Sequence, residues 1–252
     1  TRVNRGAVMS GSLLLGSGWH PFLFREEISA LFGDFEVLHP RLVLLDKSID
    51  EKLLSRLSRA ALVDDLLHFG GYSDVSDFDI ISGKISNWSK ENLPSGSFAV
   101  RSKKLGSGIE GISRRELEKE VGAQLFSKKN PVDLQNPQYE IVIIVAGKVD
   151  GEVHWDSVEI TPCIIWGIRE NKWEKTNYIG RQPMERPFFK PISLEPRLAK
   201  LLISLAHSEV INPQIMIDPF CGTGGIAIEA LIQGMDVFAS DLDPTMVYGA
   251  QK

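Results

Sequence analysis

Cysteine is scarce in this chain: only Cys163 and Cys221 occur among 252 residues. Two isolated thiols form neither a metal-ligand spacing nor a disulfide framework, so we expect no bound metal and no oxidising compartment. Long apolar runs are missing as well. None approaches the ~20 residues that span a bilayer, which makes a cytoplasmic protein without membrane contact the expectation. A basic excess is also lacking, since the net charge is −5. That balance excludes a wholesale nucleic-acid coat and leaves room for a local basic face. With 43% hydrophobic residues the chain can bury a core, and its length fits about two domains.

What the chain does have is glycine where a ligand can use it. Ile215, Met216 and Ile217 read as a short buried strand, with Asp218 at its end. Pro219, Phe220 and Cys221 follow, then Gly222, Thr223, Gly224 and Gly225. Ile226, Ala227, Ile228, Ala230 and Leu231 open an apolar helix. A strand, a glycine turn and a helix let the backbone approach a ligand, with the helix N-terminus aimed at it. A second short strand, 236–240, ends in Asp241 and Leu242. An acid at that tip is placed to accept hydrogen bonds from ribose hydroxyls. This is a nucleoside-cofactor site. Gly222-Thr-Gly-Gly-Ile-Ala227 formally satisfies the dinucleotide fingerprint. In the dinucleotide fold, however, the glycines follow the strand closely. Here Asp218 intervenes, and an acid would repel a pyrophosphate while suiting a cofactor with a cationic amino group.

The preceding text divides by composition. Residues 1–8 carry no hydrophobic pattern, and Met9 is the expected native start, so residues 1–11 read as a disordered or non-native leader. From Ser12 to Ser82 the text is α+β: Leu13–Leu15, Phe35–Leu38 and Leu42–Leu45 are strand material. Ile28, Leu31 and Phe32, then Leu53, Leu54 and Leu57, mark helices. His20 reads as a turn residue before a proline. Asp64, Asp65, Asp74, Asp77 and Asp79 read as a solvated face. Further on, 97–102 alternates like a half-buried strand, and Gly106, Gly108 and Gly111 form a loop. Ser113 and Glu116 have capping-box spacing ahead of a Leu117, Val121, Leu125 stripe. Eight basic residues gather here (Arg101, Lys103, Lys104, Arg114, Arg115, Lys119, Lys128, Lys129) against four glutamates. Lysines and arginines beside a loop and a helix N-terminus can hold phosphates. His154, Trp155, Asp156 and Ser157 sit in strand-like text without a nucleophile elbow, and Trp155, Trp166 and Trp173 read as packing residues. Residues 181–191 form a proline-punctuated connector, and Pro196 opens a helix striped by Leu198, Leu201, Leu202 and Leu205.

Three stretches resemble known families. Asp218-Pro-Phe-Cys-Gly-Thr-Gly-Gly225, with Asp241 in register, closely resembles the S-adenosylmethionine loop of class I methyltransferases, in the form found in RNA guanine-N2 methyltransferases. Phe98-Ala-Val-Arg101, Ser113-Arg-Arg-Glu-Leu-Glu118 and Val132-Asp-Leu-Gln-Asn-Pro137 look like a THUMP domain, a tRNA-binding module that follows a ferredoxin-like domain. Arg186 to Ala199 resembles the segment that closes over the cofactor in tRNA guanosine-10 N2-methyltransferases. Together they imply a ferredoxin-like domain at 12–85, a THUMP region at 86–170, a linker at 171–194 and, from 195, the first part of an α/β Rossmann-like methyltransferase domain. The implied cofactor is S-adenosylmethionine, held by Asp218, Pro219, Phe220, Cys221, Gly222, Thr223, Gly224, Gly225, Asp241 and Leu242. The implied partner is tRNA, with Arg101, Lys103, Lys104, Arg114, Arg115 and Lys119 as its contacts.

One part of that family's equipment is missing. Its catalytic Asp/Asn-Pro-Pro-Tyr/Phe tetrapeptide occurs nowhere in the chain; Asn136-Pro-Gln-Tyr139 departs from it and precedes a strand instead of following one. We therefore expect a truncated sequence with a cofactor half-site and no catalytic residue. The competing readings are a non-catalytic tRNA-binding module, a guanine-6 enzyme of the same class, and an NAD-dependent oxidoreductase.

Overall fold

The computed structural model describes residues 11–74, 77–148, 161–206 and 214–252; residues 1–10 of the leader and the His154–Ser157 stretch lie outside them, while Gly11, read as the leader's last residue, is ordered, its carbonyl accepting from Phe69 N at 2.9 Å. Elements β1 (Ser12–Gly16), α1 (Pro21–Phe32), β2 (Glu36–His39), β3 (Leu42–Leu45), α2 (Glu51–Leu57) and β4 (Val63–Ser73) succeed one another as βαββαβ, the ferredoxin-like sequence of elements. Next come α3 (Phe78–Asn92), β5 (Phe98–Leu105), α4 (Arg114–Leu125), β6 (Tyr139–Ala146) and β7 (Cys163–Arg169). All seven strands share one sheet in the order β2-β3-β1-β4-β7-β6-β5. The THUMP-like strands thus continue the ferredoxin-like sheet. Within it, β5 and β6 run parallel while β7 is antiparallel to both β4 and β6.

Burial on both faces explains why β6 is an unbroken apolar run from Ile141 to Ala146. On one face Ile141, Ile143 and Val145 pack with Phe98, Val100 and Trp166, and with Ile81, Ile85, Leu117, Val121 and Leu125 from the two helices. On the other, Val142, Ile144 and Ala146 pack with Leu13, Leu15, Leu42 and Leu67. Trp166 is a core residue, as its packing assignment requires. Asp77 caps α3, its carboxylate accepting from Ile80 N at 2.9 Å.

The solvated acidic face needs correction at Asp65, which is 4% exposed. Its carboxylate accepts from Lys103 Nζ at 2.7 Å and from Arg169 Nε and Nη2 at 3.0 and 2.8 Å. Arg169 also pairs with Glu140, which holds Arg101 at 3.3 Å. A charge ladder therefore crosses four neighbouring strands. Asp65 is buried because two cations, Arg169 from β7 and Lys103 from β5, offset its desolvation.

The chain forms two compact units interleaved in sequence: 1–22, 35–50 and 64–174 in one; 23–34, 51–63 and 175–252 in the other. The second holds most of α1, all of α2, and then α5 (Pro196–Leu205), β8 (Ile215–Asp218), α6 (Gly225–Ile232), β9 (Asp236–Ala239) and α7 (Pro244–Ala250). Strands β8 and β9 pair in parallel, from Ile215 opposite Asp236 to Asp218 opposite Ala239. Met216 and Val237 pack with Ile203, Ala230 and Met235. The expectation of a buried β8 holds for that face alone. Ile215, Ile217 and Phe238 alternate onto the opposite face, where no described element covers them, and are more than half exposed.

Glu27 is fully buried in the second unit, accepting from Ala61 N at 2.7 Å and Leu62 N at 2.9 Å. Burial pushes its carboxyl up to about 7, against the opposing pull of those two backbone bonds, Ser204 and Lys200. Lys200, also buried, donates to Ser58 O at 2.7 Å and to Thr176 Oγ1; burial lowers its ammonium to about 8. For Glu27 the folded state keeps a proton that the unfolded chain releases near 4.5, so its contribution is present at acid pH and lost as pH rises through about 7. From pH 5 to pH 8, wild type should therefore lose about 1–3 kcal/mol of stability relative to Glu27→Gln, measured by urea unfolding at both pH values. A difference between the two proteins that does not vary with pH would contradict the assignment.

Candidate cofactor site and basic face

The loop between β8 and α6 turns on two left-handed glycines, Gly222 (φ 52°) and Gly224 (φ 79°), a conformation that costs other residues about 1–2 kcal/mol. The turn is tied back to the strands. Cys221 N donates to Ser240 O, and Ser240 N to Asp218 O, both at 2.9 Å. Asp218 Oδ1 accepts from Phe220 N at 3.1 Å. Asp241 accepts from Gly222 N at 2.8 Å through Oδ2 and from Asp243 N at 2.9 Å through Oδ1. The two strand-end acids are thereby fixed on either side of the glycines. Each carboxylate oxygen keeps a second lone pair for a ligand.

Electrostatics at this loop favour a cation. Burial pushes the Cys221 thiol up, and the Asp218 and Asp241 carboxylates push it further. The thiol therefore stays protonated between two negative groups. The first N–H groups of α6 have no intrahelical partner. Such a site accepts a ligand with one small anionic group and one cationic group.

The 181–194 segment lies against this loop within the same unit. Thr223, nearly buried, donates from Oγ1 to Ser193 Oγ at 2.9 Å. Arg186 is buried and donates to Arg181 O at 2.9 Å and Leu194 O at 3.3 Å. Its guanidinium passes so close to Gly225 that an added Cβ would meet Nη1 at 3.3 Å. Phe188 packs on Gly249, where a Cβ would meet ring carbons at 2.2 Å. Lys190 reaches Asp243 at 3.8 Å. Phe220 and Leu242 stand almost fully exposed beside the loop.

All ten sequence-predicted cofactor residues, Asp218 to Gly225 with Asp241 and Leu242, thus converge on one turn. The resemblance of Arg186–Ala199 to a segment closing over the cofactor covers Ser193, whereas sequence reasoning missed Arg181 and Glu229 as neighbours of that turn. A signal existed for Glu229: a lone acid in the otherwise apolar Ile226–Ile232, four residues after Gly225, shares the face of that glycine.

The basic residues of the first unit divide by strand alternation, since successive side chains point to opposite faces. Arg101 and Lys103 point to the charge ladder and are engaged by Glu140 and Asp65. Lys104 points the other way and lines a cavity of about 310 Å³ with Ser107, Gly108, Ile109, Glu110, Ile112, Arg114 and Val145. Lys104, Arg114, Arg115 and Lys119 are exposed. Ser113 caps α4 above them, its hydroxyl accepting from Glu116 N. The Asn136–Tyr139 tetrapeptide is the turn into β6, with Gln138 N and Tyr139 N both donating to Ser97 O.

Two family models match the chain. Residues 75–149 match the THUMP domain model, and residues 183–252 match the RMKL-like methyltransferase domain model. A tRNA (guanine(10)-N2)-dimethyltransferase of Methanothermobacter thermautotrophicus is 31% identical over 251 residues, covering 95% of this chain and 67% of that protein. This chain belongs to the THUMP-containing tRNA guanine-N2 methyltransferase family. The Pyrococcus abyssi relative of the same name is 29% identical over 184 residues, and the matched part is 48% of its length. The fold is that of TrmN from Thermus thermophilus, with a TM-score of 0.57 at 24% identity over 96% of this chain and 68% of that one. Among the described residues, no helix is long and apolar enough to cross a membrane.

Backbone strain gives a direct test of the loop. Gly222→Ala and Gly224→Ala should each lower stability by about 1–2 kcal/mol through the left-handed conformation. Gly249→Ala, with ordinary backbone, should cost at least as much because its Cβ collides with Phe188. Denaturant unfolding of the three variants checks this, and a Gly249→Ala variant as stable as wild type would refute the packing of 181–194 on α7.

Proposed function

We propose that the protein transfers a methyl group from S-adenosylmethionine to the N2 amine of guanine ten in tRNA. The observation that carries this reading is the pair of strand-end carboxylates, Asp218 and Asp241, flanking a left-handed glycine turn in a chain of this family. Two fixed negative charges suit a cofactor with sulfonium and ammonium groups and oppose the pyrophosphate of a dinucleotide. Position ten comes from the relatives, which are tRNA (guanine(10)-N2)-dimethyltransferases.

The residues present fit the cofactor group by group. Asp218 and Asp241 would accept from its ammonium and ribose hydroxyls. The Gly222–Gly225 backbone allows close approach, and the Ser193 hydroxyl, which accepts from Thr223 Oγ1, keeps its own proton to donate to the carboxylate. Exposed Phe220 and Leu242 offer apolar surface to the purine. When bound, the cofactor supplies an electrophilic methyl on a sulfonium. Guanine N2 is a poor nucleophile because its lone pair is delocalised into the ring, so the base must be extruded and its amine hydrogen-bonded. Holding amine and donor in line lowers the barrier further. This reading assigns donor binding and RNA binding to the described residues and acceptor activation to none of them. It keeps the division into a ferredoxin-like domain at 12–85, THUMP at 86–170, a linker at 171–194 and the donor domain from 195.

On the RNA side, the phosphate contacts fall to Lys104, Arg114, Arg115 and Lys119, while Arg101 and Lys103 chiefly neutralise buried acids. Lys104→Ala with Arg114→Ala should weaken tRNA binding across sequences and reduce the salt slope by about 2. An unchanged slope in filter binding from 50 to 200 mM salt would remove these two residues from the interface. The activity itself is tested by incubating the protein expressed from its whole gene with methyl-labelled S-adenosylmethionine and tRNA transcripts. Label should appear at N2 of guanine ten and vanish when that base is adenine. Labelling unaffected by that change would overturn the position.

A further inference from the structure

Glu229 lies on α6, four residues after Gly225 and on the same face. It is 1% exposed, and both its oxygens accept from Arg181 Nη1, at 3.1 and 2.9 Å. Arg181 in turn presents its carbonyl to Arg186 Nε, and Arg186 Nη2 holds Leu194 O. Next to Leu194, Ser193 meets the Thr223 hydroxyl at 2.9 Å. Arg181 also stacks over the Tyr178 ring at 5.0 Å, with Arg197 over the same ring at 5.8 Å. An unbroken chain of contacts thus runs from a buried acid in α6, through two arginines, to the cofactor turn.

A buried ion pair adds little net stability, because desolvation offsets its attraction. Its consequence here is geometric: among the described residues Arg181 is the cation hydrogen-bonded to Glu229, with Lys200 and Arg186 adding to the attraction from nearby, and Arg181 belongs to the 181–194 segment. Resting on the function proposed above, we propose that Arg181 and Glu229 are positioning residues, which latch 181–194 onto the glycine turn and so place Ser193 for the methyl donor. Neither residue touches the reacting atoms. The latch acts on donor affinity and leaves the basic face in the other unit untouched.

Glu229→Gln keeps the side-chain shape and removes the charge; Arg181→Lys keeps the charge and removes the planar fork. Three measurements on the full-length protein separate the outcomes: calorimetric titration with S-adenosylmethionine, filter binding of tRNA, and hydrogen exchange of the 186–194 amides without ligand. We expect Glu229→Gln to bind the donor at least tenfold more weakly, with tRNA affinity within twofold of wild type and faster exchange at 186–194. Arg181→Lys should fall between it and wild type. A folded Glu229→Gln protein with unchanged donor affinity and unchanged exchange would overturn the latch. A parallel loss of tRNA and donor binding would mark a merely structural pair and also overturn it. If wild type binds no S-adenosylmethionine, the proposed function fails, and the exchange at 186–194 alone decides whether the latch stands.

Discussion

The donor half of this molecule depends on close backbone approach at glycine. Left-handed Gly222 and Gly224 turn the chain from β8 into α6 within a few residues. Gly225 and Gly249 lack the side chains that would hold Arg186 and Phe188 away. The strand ends, the helix N-terminus and the 181–194 segment meet because four positions carry no Cβ. Charge then selects the ligand: Asp218 and Asp241, anchored by backbone N–H groups, make the turn attractive to a cation.

In the first unit the same economy appears as charge separation by pleat. One face of β5 sends Arg101 and Lys103 into a ladder that neutralises Asp65 and Glu140. The other sends Lys104 to a cavity rimmed by Arg114. An acidic chain can thereby present a local positive surface, since part of its basic content is consumed inside and the remainder is concentrated at one loop and one helix end.

Much of this was legible in the sequence. The β8 turn and its acids announce themselves through spacing alone, and the α4 cap through Ser113 and Glu116. What escaped has physical reasons. Strand β4 hides behind Asp64 and Asp65 because Asp65 is matched by Lys103 and Arg169, partners 38 and 104 residues distant, and Asp64 by Arg41, pairings that no local pattern can reveal. Ile215 and Ile217 read as buried because hydrophobicity does not say which faces of a strand are covered. Arg181 looks like a linker residue until it is seen paired with Glu229 of α6. The interleaving of helices α1 and α2 with the donor half is likewise invisible to a reading that cuts the chain linearly.

The central claim is that the β8–α6 turn selects a methyl donor over a dinucleotide. Calorimetric titration of the purified protein with S-adenosylmethionine, with NAD, and with S-adenosylmethionine after Asp218→Ala tests it most directly. The account predicts saturable binding of S-adenosylmethionine, none of NAD, and loss of the first on removing the carboxylate. Binding of NAD, or S-adenosylmethionine binding indifferent to Asp218, would contradict it.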